Sequence, residues 1–180
     1  MRSTTLAASL VVLAAIAPAA SAQKADAGRA AFRAIYEEMV EIDSSPTTGS
    51  CTKVVKAAET RLKAAGFSGD DLQLVIPPAK PDDGNLVARI RAPGATKKGV
   101  LLLGHIDVVD AKRADWERDP FTLFEENGYF YGRGTADMKG QAAVWLDLMI
   151  RLKQEKTFKP KRDLIMALTC GEETSNRVNG

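Results

Sequence analysis

Histidine is almost absent from this chain, with one in 180 residues, and cysteine appears only twice. A single imidazole excludes histidine-clustered metal modules. Two cysteines 119 positions apart lack the close spacing of a disulfide framework, so they read as buried thiols, although an oxidising compartment would permit a bridge. Charge of either sign is also not in excess: the formal net charge is +2, and no basic stripe or run of like charge appears, which argues against a nucleic-acid partner. After residue 22 no apolar run approaches the ~20 residues that a membrane-spanning helix needs.

The first 22 residues read as an address rather than as structure. Arg2 supplies a short positive start, Leu6 to Ala17 is apolar but too short to span a bilayer, and Ala20-Ser21-Ala22 is a small-x-small cleavage site. A secretory signal peptide over 1–22 is therefore expected, with a mature chain from Gln23, secreted or periplasmic and free of the membrane once the signal is removed. Residues 23–180 are enough for one domain with a buried core.

Alternation of helical and strand patterns predicts an α/β fold with a mixed, mostly parallel sheet flanked by helices. Apolar residues at Phe32, Ile35, Met39, Val40 and Ile42 predict a helix over Ala25–Asp43, ended by the turn-rich Ser44 to Gly49. A second helix is expected over Ser50–Ala65, and a third over Met138–Lys153, where Ala142, Trp145, Leu146, Met149 and Leu152 recur at three and four. Leu72–Ile76, Asn85–Arg91, Val100–Leu103 and the fully apolar Leu164–Thr169 read as strands, the last of the kind buried on both faces.

The lone histidine, His105, closes an apolar run, with Asp107 two places on. If the strand continues through it, the two side chains point the same way, and a carboxylate beside an imidazole is the usual support for a metal-ligating histidine. By itself the pattern equally fits a polar strand cap. Asp137 precedes the third helix, where an aspartate is commonly only an N-cap. Glu172 and Glu173 follow Leu164–Thr169, and at the carboxyl end of a central strand such a pair lies where open α/β sheets bind ligands. One imidazole and several carboxylates at one rim suit metal-assisted hydrolysis, in which a carboxylate shared by two ions holds them roughly 3.5–4 Å apart and another group moves the proton of the attacking water.

Four segments occur in order: Gly104-His105-Ile106-Asp107-Val108-Val109; Asp115-Trp116-Glu117-Arg118-Asp119-Pro120-Phe121; Gly128 to Gly140, which contains Gly132-Arg133-Gly134-Thr135-Ala136-Asp137-Met138-Lys139-Gly140; and Gly171-Glu172-Glu173. This set resembles the zinc metallopeptidases that include glutamate carboxypeptidase, aminoacylase, acetylornithine deacetylase and succinyl-diaminopimelate desuccinylase. The resemblance implies a zinc-exopeptidase-like catalytic domain holding two divalent ions, zinc first, with cobalt or manganese as substitutes. It implies His105, Asp137 (bridging) and Glu173 as metal ligands, Asp107 as the group orienting His105, and Glu172 as general acid/base. It also implies a cis peptide bond between Asp137 and Met138. Trp116, Pro120 and Phe121 pack a loop or, for Trp116, line a substrate pocket.

That family supplies a further acidic ligand after the Glu-Glu pair, a late histidine, and a smaller inserted domain that carries homodimer contacts. None of these lies within the 180 residues. Two readings stay open: a fragment of an active hydrolase, or a chain that binds metal weakly and is inactive as it stands. The function expected of the parent is cleavage of amide or peptide bonds, of carboxypeptidase or dipeptidase type, on small peptides. An N-acyl amino acid deacylase, or a non-catalytic exported module whose acidic groups are caps and solvated charge, are the alternatives.

Overall fold

Two strands that run the same way decide where chemistry can happen in this protein. The computed structural model describes residues 16–174, with side chains described from residue 27 on. It contains helices α1 (Ile16–Glu41), α2 (Cys51–Ala64) and α3 (Lys139–Gln154), and strands β1 (Leu72–Val75), β2 (Asn85–Ile90), β3 (Val100–His105), β4 (Phe124–Glu126), β5 (Tyr129–Tyr131) and β6 (Leu164–Thr169). The main sheet has the order β1-β2-β6-β3, so the last strand in sequence inserts between two earlier ones. Among the described residues only β3 and β6 pair in parallel; β1 with β2 and β2 with β6 are antiparallel.

The α/β class therefore stands, but the expected mostly parallel sheet does not: two of its three ladders are antiparallel. A parallel pairing requires a long crossover. Here only the stretch between β3 and β6, which contains α3, is such a crossover. The short Pro77-Pro78 to Gly84 connection reverses the chain and makes β1 and β2 an antiparallel pair.

Alternate residues of β2 and β6 explain the core. Leu86, Ala88, Met166 and Leu168 are fully buried and meet Val54, Ala58 and Leu62 of α2 and Ala142, Leu146 and Met149 of α3. The opposite face behaves differently. Leu101 pairs with Ile165 and Leu103 with Ala167, and Leu101 and Leu103 are 55% and 54% exposed. Among the described residues β6 is thus buried on one face only, not on both as its composition predicts.

α1 begins well before the expected Ala25, because the alanine-rich segment ahead of it has high helix propensity and Pro18 falls in the first turn, where proline is tolerated. Residues 1–15 of the expected signal peptide lie outside the described residues. Among the described residues no helix is long and apolar enough to cross a membrane. The small hairpin β4–β5, not anticipated above, turns at Asn127-Gly128, both with positive φ (53° and 80°), the combination a tight two-residue hairpin turn demands.

Candidate metal centre

Because β3 and β6 are parallel and in register, with His105 opposite Thr169, their carboxyl ends open on the same rim. The segment after β6 delivers Glu172 and Glu173 there, while the loop leading into α3 delivers Asp137. His105 Nε2 lies 3.0 Å from Asp137 Oδ1 and 3.9 Å from Glu172 Oε2. His105, Glu172 and Glu173 can each offer one ligand atom within 4.8 Å of the others. The structure thus brings together all five residues singled out from the sequence.

β3 ends at His105 rather than running on to Val109, so Asp107 reaches the imidazole from a loop. His105 Nδ1 faces the Asp107 backbone carbonyl at 3.1 Å and its carboxylate Oδ1 at 3.6 Å. With the Nδ1 proton directed to that carbonyl, Nε2 faces the cluster of acids, where it carries a proton when the imidazole is charged and offers its lone pair to a cation when it is neutral. Asp107 is fully buried, and its other oxygen, Oδ2, accepts the Glu173 backbone N–H at 2.9 Å. Burial alone would raise its pKa. The nearby His105 imidazole and the backbone N–H groups of Glu173, Gly171 and Glu172 outweigh burial and hold the carboxyl well below the usual range.

His105 shows the reciprocal effect. Chiefly through the Asp107 carboxylate beside it, and despite burial, its pKa is pushed up to about 9. Glu173 is also raised, first by burial and then by the negative Asp137 beside it. This is a site with too much negative charge, in which the imidazole proton occupies the position between nitrogen and carboxylate that a cation would take. One imidazole nitrogen facing three carboxylates is a donor set for a divalent ion of the zinc type, so the residues present fit such a group.

Two further features were not singled out by sequence. Lys139, the first residue of α3, is completely buried; its ammonium donates to the Ile42 carbonyl at 2.7 Å, and burial pushes its pKa down to about 7 against the opposing pull of Asp43 and Asp107. Cys51 and Cys170 form a disulfide, with Cα atoms 6.0 Å apart, correcting the reading of two free thiols. The reason is topological: β6 inserts beside β2, whose Asn85 side chain accepts the Cys170 N–H at 2.9 Å, and this carries the end of β6 to the first residue of α2. The expected cis bond between Asp137 and Met138 is present.

Residues 101–180 match the family model described as Peptidase family M20/M25/M40. Over that stretch the chain is similar to that family. Acetylornithine deacetylase from Vibrio atlanticus is 33% identical over 149 residues, an alignment covering 80% of this chain and 36% of the relative. The enzyme of the same name from Salmonella paratyphi B is 35% identical over 144 residues, covering 80% and 37%. The chain thus spans about a third of the length of the curated relatives it matches. Human carnosine dipeptidase 1 superposes with a TM-score of 0.69 at 24% identity, over 85% of this chain and 34% of that one, a likeness of fold.

Proposed function

We propose that the chain carries the metal-binding part of an exported hydrolase that cleaves an amide or peptide bond. The observation that carries this is the meeting of His105 Nε2 with Asp137 and Glu172 at 3.0 and 3.9 Å on one rim. His105 and Asp137 would hold one divalent ion, and Asp137 with Glu173 the other. When bound, such a pair polarises the scissile carbonyl and lowers the pKa of water. Catalytic zinc usually takes three protein ligands, so two per ion makes for weak binding by these residues alone.

The chain's own residues divide the remaining work. Glu172, 64% exposed along its side chain, is free to take the proton of the attacking water and hand it to the leaving nitrogen. Asp107 holds the imidazole and, through the backbone N–H groups it accepts, the segment bearing Glu172 and Glu173. The Cys51–Cys170 bridge supports export, since disulfides persist in oxidising compartments.

A carboxypeptidase or dipeptidase acting on small peptides is the reading in line with an exported chain. The second reading, hydrolysis of N-acyl amino acids, is favoured by the 33–35% identity to acetylornithine deacetylases. A homodimer through a further domain belongs to the same proposal. The test compares Glu172→Gln with His105→Ala. In the full-length parent, Glu172→Gln should lower hydrolysis of dipeptides or N-acetyl amino acids by about 10²–10⁴-fold with metal content retained, the scale of general-base catalysis; His105→Ala should lower metal content itself. A Glu172→Gln protein that turns over substrate at the wild-type rate removes the assignment.

A further inference from the structure

We infer that the pole of the molecule opposite the acidic rim is a docking surface for a bilayer of anionic phospholipid, which the chain touches without inserting. The sequence carries no basic stripe, but folding assembles one. Val100 and Leu164 begin β3 and β6 side by side, and the Val100 N–H donates to the Asp163 carbonyl at 2.8 Å. The loops that lead into the two strands therefore end at one place, and they bring Lys97 and Lys98 to the same end of the sheet as Lys159, Lys161 and Arg162. Ile90 of β2 pairs with Leu164 from the other side, and Arg89 and Arg91 around it line a cleft of about 320 Å³ together with Lys97. At about 3.3 Å per residue along β3, this end lies roughly 17 Å from His105.

The protein's own acids do not neutralise this patch. Asp163 takes Arg89, and it also accepts the Ala92 N–H at 2.7 Å; Asp71 takes Arg91. Lys97, Lys98, Lys159, Lys161 and Arg162 are all exposed, and among the described residues none of them forms an ion pair. The whole chain carries only +2, so five unmatched cations at one pole leave the remainder net negative. Like charges gathered in this way repel one another, and a polyanion relieves them.

The chemistry of the patch selects the partner. Four of the five are lysines, compact charges on flexible stems rather than planar forks that read one group at a fixed angle. Phe158, the single aromatic of the two loops, packs against the core, so no ring stands among the cations for an unpaired base to stack on. Diffuse attraction to a layer of phosphates remains, and near an anionic leaflet each lysine or arginine gains about fivefold in binding. Docked by this pole, the molecule turns His105 and its acids toward water, where small substrates arrive. Among the described residues no helix can cross a membrane, so the contact is with the surface alone; it revises the expectation of a chain free of the membrane.

The test sediments the 180-residue chain with vesicles of phosphatidylcholine alone, or of phosphatidylcholine with about one third phosphatidylglycerol. Wild type should bind the anionic vesicles at least about tenfold more tightly, and high salt should abolish the preference. Replacing Lys97, Lys98 and Lys161 together by Gln should weaken that binding by about a hundredfold, at about fivefold each. Replacing Lys53, Lys56 and Lys112 by Gln removes the same charge elsewhere and should cost less than about threefold. All six positions are exposed, which keeps both variants folded, and the first 22 residues are common to every protein compared. A wild type indifferent to phosphatidylglycerol, a patch variant that loses less than about tenfold, or a control variant that loses as much as the patch variant overturns the inference. So does tighter binding to double-stranded DNA than to the vesicles in the same buffer, or a full-length parent that ignores anionic vesicles because this pole is covered. None of these readouts involves metal or hydrolysis, so their failure leaves the metal-centre reading as it stands.

Discussion

The single histidine makes the electrostatics of the site directly measurable. In the metal-free protein the His105 pKa stands at about 9, against 6.5 for an unperturbed imidazole. A raised pKa means that the protonated form is favoured in the folded state. Its contribution is complete below pH 6.5 and is lost as pH rises through about 9. With only 9% of the side chain exposed, little solvent screening applies, and the shift corresponds to about 3 kcal/mol. Lys139 works in the opposite direction. Its depressed pKa, about 7, makes stability rise between pH 7 and 10.5, where the unfolded chain binds a proton that the folded one does not.

The two are separated by experiment. The ring Cε1–H resonance of the only histidine needs no assignment, and in EDTA it should titrate near pH 9. Between pH 7 and 9 the two slopes oppose, so urea melts of the wild type should change little there while His105→Gln, left with Lys139 alone, gains stability as pH rises. Zinc reverses the picture, because the ion needs the neutral imidazole. Its apparent affinity should rise tenfold per pH unit and level off near pH 9, so that at pH 7, two units below, binding is about a hundredfold weaker than at the plateau. A histidine that titrates near 6.5, or zinc binding that does not change between pH 7 and 9, would refute the claim that the imidazole proton holds the place of a cation.

Other outcomes follow from the same geometry. Replacing both Cys51 and Cys170 by alanine opens a cross-link spanning 119 positions, for which the chain-entropy relation gives a loss of up to about 5 kcal/mol, read from urea melts of the oxidised protein and the variant. Gly104→Ala should lower the melting temperature by several degrees, since a Cβ there would sit 2.6 Å from Trp145 Cζ3; an unchanged melting curve would show that the Trp145 ring moves aside freely. Expression in a bacterium with an intact secretion pathway should yield a periplasmic product whose intact mass begins at Gln23, and an uncleaved cytoplasmic product would overturn the signal-peptide reading.

Much of this was legible in the sequence because it depends on local pattern. The run Leu164–Thr169 gives a strand at those bounds, and the three-and-four recurrence from Ala142 to Met149 gives α3 within a residue or two. The gathering of His105, Asp107, Asp137, Glu172 and Glu173 at one rim also follows from reading each at the end of an element. What escaped depends on strand order. Nothing local shows that β6 inserts between β2 and β3, and that insertion makes most of the sheet antiparallel and brings Cys170 beside Cys51. The β4–β5 hairpin is different: its Asn127-Gly128 signal was present, but strands of three residues carry too few alternations to stand out.

Asp107 shows how the separate parts act as one. Its backbone carbonyl faces His105 Nδ1, its carboxylate accepts the Glu173 amide, and its oxygen lies within 4.8 Å of the Cys51 and Cys170 sulfurs. Each contact removes one freedom that the site would otherwise lose on binding an ion: the rotation of the imidazole, the path of the segment bearing Glu172 and Glu173, and the position of the end of β6. A pocket whose donors are fixed beforehand binds with less ordering cost and more geometric selectivity than the same donors on mobile loops. Replacing the carboxylate by the neutral amide of Asn would keep its size but weaken its pull on the imidazole and the three amides. Asp107→Asn should therefore lower the His105 pKa and loosen the Glu172–Glu173 segment in the same variant, seen as faster amide exchange there. If only one of the two changed, the coupling through a single carboxylate would be wrong.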